Sequence, residues 1–468
     1  MQPIRLCSLL FALALFACAE PDTQLVAAQS SALSYSAAAG KALFEQPLPS
    51  TNGRACATCH VLEDDTTLKP EHVARLLRED PGNPLFDRLD ADDPDAPLLT
   101  FEHLEKGLVR VGLQLADNVD VIDVEGRVIT RPDRQIFVWR GVPTVANTAF
   151  TGPYQADGRE PTLEQQARSA ILSHSAGDEV AAKQLRRIAA FEQSTFSSPR
   201  AWFVSRMLEL GVPEVDVPVP EDFMRLTEQE QRGRKVYDAA CEACHGGATT
   251  DRIVDREAVD FLFPVLTEGG NVRYQVTQGQ PPEPMHTSRP GVDFMNVGFG
   301  AASYFGQTGV DTSAFNASVE LPRYRLRFYR DASRREALVD LPPTPVTVSG
   351  DPFDPRPALD AQGAPIVGGN LIPQQFTTDP GRAAITGDPA DFEAFDVPQL
   401  RGIAKTAPYF HDNMRETLEQ VVDDYSRFVL LFIKPLGFQP HPPEQEGGRR
   451  EALSPEEKAD LLAYLRRL

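Results

Sequence analysis

Apolar positions along the chain fall into one uninterrupted run, several helical stripes and a short alternating stretch. The run is Leu6 to Ala17, preceded by the positive Arg5. It is shorter than the ~20 residues a membrane-spanning helix needs, and its charged start and apolar middle have the layout of a secretion signal. Helical stripes follow. "LTEQEQRGRKVYDAACEACH" sets Thr227 and Glu230 at capping-box spacing and predicts a helix that delivers Cys241. "SAAAGKALFEQ" predicts a comparable helix before Cys56, and its Gly40-x-x-Leu43-Phe44 is echoed by Gly233-x-x-Val236-Tyr237. The last segment, "LSPEEKADLLAYLRRL", has Ser454 as N-cap, Pro455 at N1 and Glu457 at N3. Leu461, Tyr464, Leu465 and Leu468 then share one face, and Leu418, Val421, Val422 and Tyr425 share another. The alternating stretch, "VDVIDVEGRVIT", predicts a β-hairpin turning at Glu125 and Gly126. Residues 251 to 390 are rich in Pro, Gly and Thr with little helical periodicity, so loops with short strands are expected there.

A chain of 468 residues is long enough for two or three domains, each burying its own core. Its 67 acidic against 46 basic side chains give a net charge of −21. That balance argues against a nucleic-acid binder, because neutralising phosphates takes clustered Lys and Arg. It suits a solvated surface and the attraction of a basic partner, such as a small cationic electron-transfer protein. "DADDPD", residues 90 to 95, lacks the spacing of an EF-hand loop and is expected to be a solvated turn. "LFAC", ending at Cys18, resembles the lipobox of bacterial lipoproteins, in which that cysteine is lipidated and becomes the mature N-terminus. Cleavage after Ala19 is the competing reading; lipidation is favoured. Ala19, rather than Asp, follows the cysteine, which in that resemblance implies the outer membrane. The expected location is the periplasmic or cell-surface side, touching the membrane only through the lipid anchor.

Composition leaves the cysteines with a narrow use. Of the 6, Cys7 lies in the signal and Cys18 is assigned to lipid. Cys56, Cys59, Cys241 and Cys244 remain, in "CATCH" and "CEACH", with none left over for a disulfide in a compartment where disulfides form. C-x-x-C-H attaches c-type haem. Two thiols add to the vinyl groups on one edge of the macrocycle, and the adjacent imidazole, here His60 or His245, takes an axial position on the iron. A thioredoxin-like redox pair needs no histidine, and a zinc site needs four coherent ligands. Two covalently bound haems c are therefore expected. A helix before the motif and a closing helix packed on it is the cytochrome c plan, and the chain holds two such units. The expected fold is mainly α, two cytochrome c-like haem domains with loop-rich and short β insertions. Its parts are a lipoprotein signal (1–17), a tether (18–33), an N-terminal haem domain (34–220) and a C-terminal haem domain (221–468) carrying 251–390 as a loop-rich insertion.

"VPQLRGIAKTAPYFHDNMRETLEQVVDDY", from Val397 to Tyr425, resembles the C-terminal signature of bacterial di-haem cytochrome c peroxidases and the related enzyme MauG. "RGVPTVANTAF", "ADGREPTLEQQA" and "AAFEQSTFSSP" are similar to segments of that family in the same order. The resemblance covers most of residues 35–250 and 390–468. It implies that the N-terminal haem, with His60 proximal, is the peroxide-reactive one, and that the C-terminal haem, with His245 proximal, relays electrons. Gln166 matches the distal-pocket glutamine that hydrogen-bonds bound peroxide. The family's distal glutamate has no clean match; His174, Asp178 and Glu179 lie in its neighbourhood, and imidazole suits proton transfer at neutral pH. A partly exposed helix-end histidine explains His174 equally well.

The chain departs from the family in several places. The histidine that blocks the reactive iron in peroxidases needing reductive activation is missing before "RGVPTV", since no histidine lies between His103 and His174. An N-terminal haem open on its distal side, as in MauG, is expected, with His72 and His103 as the residues able to reach back. Where the relay haem of those peroxidases has an axial Met, the matching position here is Tyr425, as in MauG. A core tyrosine explains its helix face too, and Met414, Met285 and Met295 are rival ligands. A phenolate stabilises ferric iron, whereas a thioether favours ferrous. The inter-haem Trp of the family is Ala156 here, with Trp139 and Tyr154 nearby in sequence. A family calcium ion, held partly by carbonyls matching Thr406 and Pro408, would lack its Asn, which is Gly141.

These residues lead to an exported di-haem oxidoreductase. The expected activity is reduction of hydrogen peroxide with electrons from a small cytochrome or from an organic or protein donor, the MauG-like subtype being favoured. Two alternatives belong to other classes: a non-catalytic electron-transfer cytochrome with both irons six-coordinate, and a cell-surface binding lipoprotein with structural haems. Rubber-cleaving relatives in the family leave O₂ activation open.

Overall fold

A computed structural model describes residues 35–252, 286–289, 292–295, 321–341, 376–426, 430 and 451–468. The signal, Cys18, the tether, Met285 and most of 251–390 lie outside the described residues, as does the side chain of Met295. In chain order the elements are α1 (Tyr35–Glu45), α2 (Pro70–Glu79), β1 (Leu108–Gln114), β2 (Val119–Ile122) and β3 (Gln135–Gly141). Then come α3 (Leu163–His174), α4 (Ala182–Glu192), α5 (Pro199–Glu209) and α6 (Glu228–Ala240). β4 (His286–Arg289), β5 (Val292–Met295), β6 (Arg325–Tyr329) and β7 (Ala337–Leu341) follow. The chain closes through α7 (Ala383–Thr386), β8 (Phe395–Asp396), α8 (Leu418–Asp424) and α9 (Pro455–Leu465). The described residues are predominantly helical with a few short strands, as the sequence pattern anticipated.

Helix starts are set by side-chain caps. Thr162, Ser198, Thr227, Thr417 and Ser454 each accept a hydrogen bond from the first turn they precede. Thr227 with Glu230, Thr417 with Gln420 and Ser454 with Glu457 close full capping boxes. Two helix crossings then frame the two units, and each depends on a glycine. A Cβ on Gly40 of α1 would stand 1.8 Å from the Arg187 carbonyl oxygen of α4. A Cβ on Gly233 of α6 would stand 1.9 Å from the Asp460 carbonyl oxygen of α9. The helices therefore touch backbone to backbone, and an aromatic pair packs beside each contact. Phe44 meets Phe191 at 5.0 Å, and Tyr237 meets Tyr464 at 5.2 Å, between ring centroids.

The strands depart from the hairpin expected at Val119–Thr130. The turn forms: Gly126 has φ +78, Asp123 N donates to Arg127 O, and Ile122 bridges Val128. Beyond that single bridge, however, β2 pairs antiparallel with β6, with Val121 opposite Leu326, and β6 pairs in turn with β7. All four β2 residues are buried, so the strand needs a partner drawn from the core rather than from its own turn. β1 pairs with β3, Val111 opposite Val138. Leu326, Phe328, Leu341, Ala383, Ala384 and Phe392 pack into the same core as Leu113, Val119 and Val138. These described parts of the 251–390 stretch and its sequel thus build on the N-terminal unit. A second core joins Tyr237, Leu418, Val422, Leu461 and Tyr464.

Buried ion pairs tie distant segments together. Arg140 holds Asp379 and Asp157, and Arg54 holds Asp90 at 2.6 Å. Arg401 grips Glu221 with two bonds of 3.0 Å, both side chains fully buried. No described helix is long and apolar enough to cross a membrane.

Candidate functional site

Each CxxCH motif forms a tight turn, the second directly after α6 and the first separated from α1 by residues 46–55. In the first, Cys59 N and His60 N both donate to Cys56 O, at 3.2 and 2.9 Å. In the second, Cys244 N and His245 N both donate to Cys241 O, at 3.1 and 2.8 Å. One backbone shape thus puts two thiols and an imidazole on each turn. All four cysteines are free thiols rather than disulfides. Burial pushes Cys56 and Cys241 up to about 12 and Cys59 to about 11, so they carry no negative charge.

The imidazoles are oriented by backbone. His60 Nδ1 lies 3.1 Å from Thr66 O, and His245 Nδ1 lies 3.1 Å from Pro398 O. A carbonyl only accepts, so Nδ1 carries the proton and Nε2 keeps its lone pair, the state of a metal-ligating histidine. Burial lowers the pKa of both rings, that of His245 to about 4. Nearby, Thr66 Oγ1 accepts from Val145 N at 3.0 Å, and Thr250 Oγ1 accepts from Leu400 N at 2.8 Å. Paired thiols beside an imidazole whose free nitrogen is a ready donor suit a covalently attached haem in each unit.

The remaining residues singled out from the sequence fall into distinct settings. Gln166 stands on α3 with its Oε1 buried and without a hydrogen-bond partner among the described residues. His174, half-buried at the end of the same helix, lies close enough to His60 to lower the pKa of His60 further, and desolvation lowers its own. The His174 carbonyl accepts from Arg54 and Asn52, both at 3.2 Å. Glu179 and Asp178 are exposed instead, and the Glu179 carboxylate pairs with Arg168. Tyr425 follows α8 and sits beside Cys241 and Cys244; burial pushes its phenol well above the usual range. His103 is held elsewhere, 2.6 Å from Asp92 and stacked on Trp139 at 4.1 Å, and His72 lies 3.2 Å from Asp64. Tyr154 donates its hydroxyl to Thr148 O. Ala156 O accepts from Asp396 N.

The calcium ligands expected at Thr406 and Pro408 do not find their third partner. A Cβ on Gly141 would stand 2.1 Å from Asn413 Oδ1, so the Asn413 side chain fills the room a residue-141 side chain would take. Asn413 Nδ2 donates to Lys106 O at 3.0 Å. Among the described residues, no group of three His, Cys, Asp or Glu is placed to hold a metal ion.

Sequence reasoning passed over three features. The carbonyls of Thr66 and Pro398 carry no side-chain signal. Glu192 is buried with one carboxylate oxygen unpartnered, and burial, reinforced by Glu164, pushes it up to about 8. The third was legible: "GPYQADGREPTLEQ" and "APYFHDNMRETLEQ" repeat one frame at a constant offset, Tyr154 bridging Glu160 as Tyr409 bridges Arg415.

Two such units, each with a free-thiol pair and an oriented imidazole, have the make-up of a two-centre c-type cytochrome. Comparison with known proteins places the N-terminal part more narrowly. Residues 35–202 match the profile of the di-haem cytochrome c peroxidase family, the family that the motifs resemble. The family implies haem c cofactors. Over 96 residues the chain is 38% identical to the cytochrome-c peroxidase IdrP2 of Denitromonas iodatirespirans, covering 19% of this chain and 21% of that one. Over 80 residues it is 38% identical to the cytochrome c551 peroxidase of Nitrosomonas europaea, covering 15% and 24%. The matches span under a quarter of each relative's length. Among solved structures, a MauG-like protein associated with microbial copper homeostasis aligns over 93% of this chain and 89% of its own, at 19% identity and a TM-score of 0.37. The di-haem peroxidase BthA of Burkholderia thailandensis aligns over 95% and 86%, at 15% identity and a TM-score of 0.34. Similarity at that level is too low to argue from.

Proposed function

We propose that this chain is an exported di-haem peroxidase that reduces hydrogen peroxide with electrons from a small cytochrome or from an organic or protein donor, closer to the MauG subtype than to the activated peroxidases. The observation that carries the reading is the pair of CxxCH turns whose imidazoles donate Nδ1–H to a backbone carbonyl, beside a family match over residues 35–202. When bound, a haem supplies one-electron chemistry and a site for oxygen species. The chain's own residues then have separate tasks. His60 and His245 present Nε2 to the metal. Gln166, with its unpartnered buried oxygen, orients the incoming peroxide. His174, half-buried and with its pKa lowered by desolvation, takes a proton from peroxide and returns it to the leaving oxygen. Its place near His60 favours it for that task over the exposed, ion-paired Glu179. Tyr425, beside Cys241 and Cys244, is the residue that would hold the second iron, and its phenol would favour the ferric state. Engagement of His103 by Asp92 and Trp139 supports a first centre that needs no reductive activation. Residues 1–17 direct export, and Cys18 carries the lipid anchor.

Mass spectrometry of protein matured in a haem-loading host, before and after Cys56→Ser/Cys59→Ser, tests the foundation. The parent should carry two haem masses and the variant one; a parent without either mass refutes the reading. EPR of Tyr425→Phe beside the parent tests the subtype, and coincident spectra would remove it.

A further inference from the structure

The two units are built on one frame, and the frame aligns residue 170 with residue 425. The offset of 255 positions is fixed by independent contacts. Thr66 Oγ1 accepts from Val145 N where Thr250 Oγ1 accepts from Leu400 N. The Tyr154 and Tyr409 hydroxyls each donate to a carbonyl six residues back, at 2.9 and 3.0 Å. Thr162 caps α3 through Gln165 N, and Thr417 caps α8 through Gln420 N, at 3.2 and 3.3 Å.

Burial along the two helices then runs in step. Leu163, Ala167 and Ile171 are buried, as are Leu418, Val422 and Ser426. Each buried row packs toward the first cysteine of its own motif, Cys56 in one unit and Cys241 in the other. The half-buried row beside it holds Gln166 and Ala170 in α3, and Val421 and Tyr425 at the matching places. Four residues apart on a helix, each pair shares one face. The N-terminal unit thus combines a buried, unpartnered amide oxygen with a methyl group, and the C-terminal unit combines an apolar side chain with a phenol.

Resting on the di-haem reading above, we infer that position 170 decides which of the two haem units admits an outside oxygen species. A methyl at 170 leaves free the space that the phenol at 425 fills in the other unit, and Gln166 supplies the polar group to meet what enters. The selectivity between the units is then a matter of two side chains at matching positions, Ala170 within α3 and Tyr425 directly after α8. Ala170 acts by leaving room rather than by touching the reacting atoms; it is a positioning residue.

The test uses the full chain carrying both haems, with ferric EPR and carbon monoxide titration of the reduced protein as readouts. The parent should bind a single equivalent of carbon monoxide and show one high-spin ferric signal. Ala170→Tyr should lose both, and Ala170→Met, which fills the space with a flexible helix-forming side chain, should lose carbon monoxide binding at least tenfold in affinity should the tyrosine variant fail to mature. The exchange variant A170Y/Y425A should regain the equivalent at the other centre. If the parent binds carbon monoxide and the 170 variants bind it unchanged, position 170 does not set access and the inference falls, while the di-haem reading stands. If the parent binds none, the reading itself is overturned and the inference with it.

Discussion

Replacing Gly40 by alanine separates two effects of opposite sign. On an exposed helix the change would stabilise the protein by about 1 kcal/mol, the difference in helix propensity. Here the added Cβ would meet the Arg187 carbonyl oxygen at 1.8 Å and the Phe191 Cβ at 3.0 Å. Both neighbours are helix α4 itself, so no flexible side chain can yield. α1 and α4 must part by about 1.5 Å to restore ordinary contact, an overpacking that costs about 1–3 kcal/mol in strain. The gap also reaches the fully buried Phe44 and its ring contact with Phe191 at 5.0 Å. Opening it forfeits up to half of their dispersion attraction, about 2 kcal/mol for one such aromatic. The net expectation for Gly40→Ala is a loss of about 3 kcal/mol, read as a lowered midpoint in urea unfolding followed by circular dichroism. Gly233→Ala, whose Cβ would meet Asp460 O at 1.9 Å, should behave alike in the C-terminal unit. A midpoint that rises, as propensity alone demands, would refute the backbone-to-backbone crossing.

Glu221→Gln should cost roughly 3 kcal/mol in the same assay, because the fully buried Arg401 would lose the carboxylate it grips, which also pairs with Arg200, while the side chain at 221 keeps its shape; a loss under about 1 kcal/mol would show that the pair carries little. Glu192 is raised from 4.5 to about 8 by burial, so the folded protein keeps a proton that the unfolded chain sheds. Its contribution is complete below pH 4.5 and is lost as pH rises through about 8. Glu192→Gln should flatten that slope and be more stable than the parent at pH 9, by up to about 4 kcal/mol, in pH-resolved unfolding. With Asn413 filling the place above Gly141, exhaustive chelation of calcium should shift the unfolding free energy by less than about 0.5 kcal/mol; a larger fall would place an ion at the junction after all.

What could be read from the sequence was whatever is decided locally. α6 and α9 announce themselves through Thr227 with Glu230 and Ser454 with Glu457, because a cap and its partner sit three residues apart. The CxxCH turns are legible for the same reason. β2 is different. Its alternating run predicts a hairpin, yet its ladder partner is Arg325–Tyr329, about two hundred residues on, since burial on all four positions outweighs the short turn. No local rhythm specifies such a partner. The same holds for Asp379, which returns to Arg140 from a stretch read as insertion. At the site, the chemistry of Cys56, Cys59 and His60 is carried by side chains and could be recognised, while the carbonyls that aim the imidazoles have no sequence identity. Glu179 and His174 are five residues apart and equally plausible as acids or bases on paper. Only the end of α3, which turns one inward and leaves the other paired with Arg168, tells them apart.

The repeated frame sharpens the meaning of the differences between the halves. Where the backbone is the same at both places, a changed side chain cannot be put down to a changed fold. Gly141 N donates to His411 O at 2.7 Å, and its counterpart Asp396 N donates to Ala156 O at 2.9 Å, so the junction of the halves is symmetric in its main chain. Its side chains are not. Phe395 stacks on His411 at 4.2 Å, whereas Arg140, in the place matching Phe395, is spent on Asp379 and Asp157, and the place matching His411 holds only the methyl group of Ala156. A frame that could have carried two equal centres instead carries charge and small groups on one side of the junction and stacked rings on the other. Packing does not require that division, because both halves accommodate their own version at full burial of the surrounding core. The asymmetry is what the proposed division, one centre reached from outside and the other closed, would require.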